Sequence, residues 1–197
     1  MTPPRRRGRP PKSDDPATKD RLLHAAAAAC VADGFESVTL ADIAERADVT
    51  ATAIYNHFSS REELLYAAGR RALDELTATL SPSLDGTDAV HEIARAYLRP
   101  DMAATRRLFL ELHLAGAHHP DLAVHLAEWH REFAKVLRDI PVVGTTPAAA
   151  AATVKVLFLL LLGLCHVDDL DAIKATSRAV GDRADALVDA LYPRTAS

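Results

Sequence analysis

The chain has 197 residues, of which 49% are apolar and only 5% aromatic, and its net charge is −4. This length fits one ordinary domain, or a small domain joined to a larger one. Two distant cysteines do not form a disulfide framework, so we expect a reducing compartment and a cytoplasmic protein. The most apolar stretch, residues 156–165, is too short to span a bilayer, so no membrane partner is expected.

Positive charge is concentrated at the N-terminus. Residues 1–12 carry a charge of +5, whereas residues 13–66 carry −6 and residues 67–197 carry −3. Residues 1–17 contain five prolines and few apolar side chains, which predicts an arm that is disordered in isolation. Because the rest of the chain is acidic, we expect this arm to contribute more to binding of a polyanion than its length suggests.

The first predicted helix begins near Pro16 or Thr18, where either residue would suit a helix start. It ends at Gly34, and Phe35 follows at the position where a C-cap glycine usually has a hydrophobic contact. A capping box at Thr39 then starts a second helix.

Residues 39–58 have the size of a helix-turn-helix. A short turn follows the second helix, and Thr50 caps a third helix that we expect to extend to Phe58. The apolar residues lie where two steeply crossing helices would share a small core: Ile43, Val49, Ile54 and Phe58. The other face presents side chains that suit a DNA major groove, although a helical hairpin with a solvated polar face fits the spacing equally well: Thr52, Ala53, Tyr55, Asn56 and His57.

A fourth helix follows a second capping box at Ser60, and the helical pattern breaks at residues 81–87. Beyond this break the periodicity predicts five more helical segments, over 88–99, 102–117, 121–139, 147–165 and 170–191. The predicted fold is therefore all-α, with about nine helices.

Several short motifs occur in a fixed order between residues 18 and 65. They are G-F at 34–35, T-x-x-x-I-A at 39–44, A-x-V-T at 47–50, I-Y-x-H-F at 54–58 and S-[KR]-E-x-L at 60–64. This pattern resembles the DNA-binding domain of the TetR family of bacterial transcriptional regulators. The resemblance implies three parts: a basic arm over 1–17, a helix-turn-helix domain over 18–66, and a ligand-binding and dimerisation domain over 67–197.

The resemblance also implies which side chains contact DNA. Contacts to phosphates are implied for Thr39, Tyr55, His57 and Arg61, and contacts in the groove are implied for Thr50, Thr52, Ala53 and Asn56. Two departures from the family pattern occur. Asp48 stands where the family usually has glycine, and Ala51 and Thr52 stand where it often has lysine and glycine. The missing lysine removes one phosphate partner from an acidic domain.

The N-terminal arm resembles an AT-hook through its G-R-P core at residues 8–10. Arginine flanked by glycine and proline can lie extended in a narrow A·T-rich minor groove, where the negative potential is enhanced. We therefore expect DNA contacts from the four arginines of the arm, Arg5, Arg6, Arg7 and Arg9. The alternative is a solubilising tail.

By the same resemblance, the last two helices form a homodimer interface and the middle helices enclose an effector pocket. The final helix agrees with this expectation through an apolar stripe formed by Ala184, Leu187, Val188 and Leu191. The candidate pocket residues are mostly apolar, which favours a small, largely hydrophobic effector: Leu108, Phe109, Leu112, His113, Trp129, Phe133 and Phe158.

The sequence thus predicts a ligand-responsive homodimeric regulator, most simply a repressor that an effector releases from a palindromic operator. An effector-independent architectural DNA-binding protein is the alternative. A third possibility is a helical metal-dependent enzyme that uses the histidines between 113 and 130. Their spacing does not suit a metal site on one helix, and we see no nucleophile–base pair, phosphate loop or paired carboxylates. We therefore expect no metal, no cofactor and no catalysis.

Overall fold

The computed structural model describes residues 15–78, 86–138 and 177–191, together with eight positions between 146 and 163. These residues form eight α-helices: α1 (Pro16–Asp33), α2 (Leu40–Arg46), α3 (Ala51–Ile54), α4 (Arg61–Ala78), α5 (Gly86–Leu98), α6 (Ala103–Gly116), α7 (Pro120–Arg138) and α8 (Ser177–Leu191). A 3-10 turn, Pro100–Met102, precedes α6. Within these residues there is no strand, so the all-α prediction is confirmed, and the expected count of about nine helices is close. Most of the helix predicted over 147–165 lies outside the described residues.

Local caps determine both ends of α1. The Asp15 carboxylate accepts a hydrogen bond from the Ala17 N–H at 3.1 Å, and Pro16 occupies the first helical position. Gly34 ends the helix at φ +79°, where its N–H donates to the Cys30 carbonyl at 3.0 Å. Phe35 is buried directly after it. The expected helix start at Pro16, the glycine C-cap and its hydrophobic contact are therefore confirmed.

The third helix is one turn shorter than predicted. It ends at Ile54, and residues 55–57 continue as turns. The N–H of Asn56 donates to Ala53 and the N–H of His57 donates to Ile54, so the backbone tightens into i→i+3 bonding. The predicted helix boundary at Phe58 is therefore wrong, although Phe58 is buried as expected.

One apolar core joins the N-terminal helices to α6 and α7. Helix α1 packs on α2, α4 and α6, and α4 packs on α6 and α7. Gly69 permits the close crossing of α4 and α6, because a Cβ atom at this position would clash with the buried Leu112 side chain. The N-terminal domain is thus joined to the helices that follow it through α1 and α4.

Helix α8 packs on α5 within the same chain. Ala184 and Val188 are buried there, and the Asp185 carboxylate accepts from the Arg95 guanidinium at 3.0 Å. The prediction that the whole apolar stripe of the last helix faces a second subunit is therefore wrong for these two residues. Leu187 does remain exposed, at 49%. No helix in the described ranges is long and apolar enough to cross a membrane.

Candidate nucleic-acid interface

A small core holds α2 and α3 together. Ile43 and Ile54 are completely buried, Phe58 is almost so, and Val49 packs against them half-buried, as the sequence predicts. The start of α2 is fixed by a capping box: the Asp42 N–H donates to the Thr39 hydroxyl at 3.2 Å, and the Thr39 N–H donates to the Asp42 carboxylate at 2.9 Å. Hydrogen bonds from Thr39 also lower the pKa of Asp42.

The turn between α2 and α3 contains Asp48 at φ +53°. This left-handed conformation explains why glycine is usual at this position in the resembling family, and aspartate tolerates it better than most residues. The Asp48 side chain is exposed, so its carboxylate adds negative charge beside the candidate DNA surface.

Substitutions at Asp48 separate backbone strain from charge. We expect Asp48→Gly to raise the free energy of unfolding by about 0.5–1 kcal/mol, because glycine adopts positive φ without a Cβ penalty. Asp48→Asn keeps a residue that tolerates this conformation and should change stability little. Both variants should bind DNA more tightly, since both remove the carboxylate. Urea unfolding measures the first effect and fluorescence anisotropy with duplex DNA the second; a loss of stability in Asp48→Gly would contradict the strain argument.

Most of the predicted DNA-contacting side chains lie on α3 and its flanks. The Thr50 hydroxyl accepts from the Ala53 N–H at 3.2 Å and caps α3. Ala53 and His57 are half-buried. The other predicted residues of this unit are exposed: Thr39, Thr50, Thr52, Tyr55 and Asn56. Tyr55 is 58% exposed and is therefore accessible to a partner. The four arginines of the arm lie outside the described residues.

Arg61 does not join this exposed surface. Its guanidinium donates to the carbonyl oxygens of Phe35 and Val38, at 2.5 and 3.0 Å, and lies 4.7 Å from the centre of the Phe35 ring. It also pairs with Glu62 at 2.9 Å, and only 18% of its side chain is exposed. The structure therefore gives Arg61 a packing role between α4 and the α1–α2 turn, in place of the phosphate contact that the sequence pattern implies.

A second cap positions α4 next to this surface. The Glu63 N–H donates to the Ser60 hydroxyl at 3.0 Å, as the capping box predicts. The Glu63 carboxylate accepts from the N–H of Ser59 at 2.6 Å, one residue before the position that the motif specifies. Hydrogen bonds from Ser59 lower the pKa of Glu63. Carboxylates are thus ionised close to α3, and the arm is the basic block of the sequence that can offset them.

The predicted effector residues come together between α6 and α7. Phe109 and Trp129 meet edge to face with their ring centres 5.2 Å apart. Leu108 and Leu112 are buried in the same core, and His113 lies at its edge with its ring centre 5.9 Å from that of Trp129. The side chain of Phe133 and the whole of Phe158 lie outside the described residues. None of the predicted effector residues lines any of three surface grooves found in the described part of the chain.

The largest of these grooves was not predicted from the sequence. It has a volume of about 560 Å³ and lies between the start of α4 and the start of α7. Its lining mixes carboxylates, imidazoles and hydroxyls: Ser59, Ser60, Glu62, Glu63, His119, Asp121 and His125. Among the described residues, no three His, Cys, Asp or Glu side chains are placed to hold a metal ion.

Polar contacts between the N-terminal domain and α6 were also missed. The Phe35 N–H donates to Glu111 Oε2 at 3.1 Å, and Arg107 donates to the other oxygen of the same carboxylate at 2.9 Å. The His119 ring lies 2.9 Å from the Glu36 carboxylate. Phe35 and Glu111 are 76 positions apart, so no local sequence signal could have paired them.

Comparison with known proteins agrees with this geometry. Residues 22–68 match the model of a family described as bacterial regulatory proteins, tetR family. Over 131 residues the chain is 26% identical to the HTH-type nicotine-responsive transcriptional repressor HdnoR of Paenarthrobacter nicotinovorans. That alignment covers 60% of this chain and 66% of the relative, just under two thirds of its length.

Solved structures share the fold across nearly the whole chain. A TetR-family transcriptional regulator from Rhodococcus sp. superposes with a TM-score of 0.73 at 20% identity, covering 89% of this chain and 98% of that one. The fatty acid degradation regulator FadR from Bacillus halodurans gives 0.69 at 15% identity, covering 89% and 99%. The capped helix-turn-helix therefore lies within the segment that matches the TetR family model, residues 22–68, and the rest of the chain shares the fold of these solved structures.

Proposed function

We propose that this protein is a homodimeric, ligand-responsive repressor that binds a palindromic operator through the α2–α3 unit of each subunit. One observation carries the proposal: Thr52 on α3 and Tyr55 and Asn56 in the turn after it are exposed, while the buried Ile54 anchors the same segment to the core. Short polar and flat side chains on a rigid support can reach base edges in a major groove. In this proposal Ala53 and Thr50 complete the groove-facing set, and Thr39, Tyr55 and His57 contact phosphates.

The arm is proposed to bind the adjacent minor groove through Arg5, Arg6, Arg7 and Arg9. Its exit point supports this. Helix α1 begins at Pro16, and Lys19 in its first turn lies 5.9 Å from the centre of the Phe58 ring, at the end of the α3 segment. The first turn of α1, which follows the arm in sequence, therefore lies close to the recognition unit, and an extended segment attached there could reach neighbouring DNA.

Apolar side chains that are exposed to solvent in the single subunit support a dimer. Val156 and Leu159 are 44% and 62% exposed, and Leu187 on α8 is exposed as well. A two-fold pair would bury these surfaces against their own copies. It would also present two recognition units to successive major grooves, with centres about 34–36 Å apart or a multiple of that distance.

The effector is proposed to act on α6. This helix carries Leu108, Phe109, Leu112 and His113, which with Trp129, Phe133 and Phe158 are the proposed contacts of a largely apolar small molecule. It also carries Glu111, which holds the Phe35 N–H at the end of α1. A displacement of α6 would therefore move the helix-turn-helix, provided that the ligand prefers one of the two arrangements. The relative from Paenarthrobacter is named for its response to nicotine, which supports control by a small molecule.

Selection of bound sequences from a random pool of double-stranded DNA tests the proposal. Full-length protein at fixed, near-physiological salt should enrich a palindrome whose half-sites lie about one helical turn apart, flanked by A·T-rich sequence. Enrichment of A·T-rich DNA without a palindrome would contradict the dimeric repressor and favour an architectural protein. Enrichment of no sequence would contradict DNA recognition by the unliganded chain.

A further inference from the structure

Two histidines from different helices meet at the edge of the α6–α7 core. His113 Nε2 on α6 lies 2.9 Å from His130 Nε2 on α7, and the ring centres are 5.0 Å apart. Burial lowers the pKa of both imidazoles, and the nearby His113 lowers that of His130 further. His130 has no role in the function proposed above.

The contacts of His113 fix which of its nitrogens carries the proton. Its Nδ1 lies 2.6 Å from the carbonyl oxygen of Phe109, one turn earlier in α6, and a carbonyl can only accept. Nδ1 therefore carries the hydrogen, and the His113 Nε2 lone pair accepts a hydrogen bond from the Nε2–H of His130. Metal-bound histidines are held in this way, with one ring N–H on a backbone carbonyl and the other nitrogen free to coordinate.

We infer that His113 and His130 form a binding site for a divalent first-row transition ion, best suited to Cu²⁺. Two imidazole nitrogens about 2.05 Å from one ion and 2.9 Å apart subtend an angle of about 90° at the ion. Adjacent ligands at this angle fit the tetragonal geometry that Cu²⁺ prefers with nitrogen donors. A tetrahedral ion would require the nitrogens to be about 3.3 Å apart.

The surroundings determine the rest of the coordination. Trp129 lies beside the His113 ring, the Phe109 ring lies against Trp129, and neither side chain offers a ligand. His130 is half-buried, so one side of the histidine pair is accessible to solvent. Water molecules from that side can occupy the other coordination positions of the ion. An ion here would bridge α6 and α7 in place of the hydrogen bond between the two rings. The hydrogen on His130 Nε2 would move to Nδ1 of the same ring, so that Nε2 coordinates the ion without loss of a net proton.

Titration of the full-length, metal-free protein with Cu²⁺ in the presence of competing glycine tests the inference, and it requires no DNA or effector. We expect one Cu²⁺ per chain, with two imidazole nitrogens detected by pulsed electron paramagnetic resonance. His130→Gln should weaken this binding at least tenfold. The double variant His118→Gln/His119→Gln removes two other histidines at the end of α6 and should bind as the wild type does.

Equal Cu²⁺ affinity in the wild type and His130→Gln would overturn the site, as would stronger loss in the double variant. Circular dichroism establishes whether His130→Gln is folded. If it is not, the wild-type complex is compared with a folded His113→Asn variant. Coordination by two imidazoles in the wild type that is lost in His113→Asn supports the site, and wild-type coordination by one imidazole or none contradicts it.

Discussion

Deletion of residues 1–12 is expected to flatten the salt dependence of operator binding by up to ~4.5 units of log–log slope per subunit, because each neutralised phosphate contributes about 0.9 units. The deletion removes five positive charges. The domain that remains is acidic. The guanidinium of Arg61, one of the side chains that the family pattern places on a phosphate, donates to backbone carbonyls within the protein instead. The arm should therefore supply most of the electrostatic attraction, and affinity at low salt should fall by two or more orders of magnitude.

A variant that preserves the charge of the arm distinguishes electrostatic attraction to DNA from recognition of the shape of the minor groove. Substitution of lysine for Arg5, Arg6, Arg7 and Arg9 keeps the arm's charge but removes the planar groups that fit a narrow minor groove. It should keep the slope and lose the preference for A·T-rich flanks. Binding isotherms at several salt concentrations measure both quantities. An unchanged slope and affinity after deletion would show that the arm does not contact DNA.

Arg61→Ala is expected to lower the free energy of unfolding by about 2–4 kcal/mol, because it leaves two partly buried carbonyl groups without their donor. Those carbonyls belong to Phe35 and Val38. The substitution also removes the stacking of the guanidinium on the Phe35 ring and its ion pair with Glu62. Since Phe35 also donates to Glu111, the loss should loosen the contact between the N-terminal domain and α6. Urea unfolding followed by circular dichroism measures the change.

Arg46→Ala is the matched control for Arg61. Arg46 pairs with Asp33 at 2.8 Å, but both side chains are more than 40% exposed. An exposed pair of this kind contributes about 0–1 kcal/mol, so this variant should be nearly as stable as the wild type. If Arg61→Ala kept wild-type stability but lost DNA affinity and salt dependence, the phosphate contact implied by the sequence would be correct and the packing role wrong.

The sequence predicted those features that depend on neighbours within one turn. The Thr39–Asp42 box, the Ser60 cap and the Gly34 C-cap each join residues at most four positions apart, and all three are present. The resemblance drew attention to Asp48 because the family usually has glycine there, and the positive φ of Asp48 gives the physical reason for that preference. Hydrophobic spacing likewise identified the small core around Ile43 and Ile54.

The features that sequence reasoning missed join distant positions. Arg61 reaches carbonyls 26 and 23 positions earlier, and His113 meets His130 across two helices. Spacing along one helix could not reveal that pair. Periodicity identified the apolar side of the last helix but not what covers it, which is why Val188 was expected to face a second subunit and instead packs on α5.

The most direct test of operator recognition by the α2–α3 unit is the affinity of Asn56→Ala for the palindrome selected with wild-type protein. We expect specific binding to weaken at least about thirtyfold, since each of two subunits would lose a base contact worth about 1–3 kcal/mol. Affinity for unrelated duplex DNA should stay the same, and Glu128→Ala, a change at an exposed residue of α7, should have no effect. Equal affinity of Asn56→Ala and wild type for the palindrome, with both proteins folded, would contradict the account.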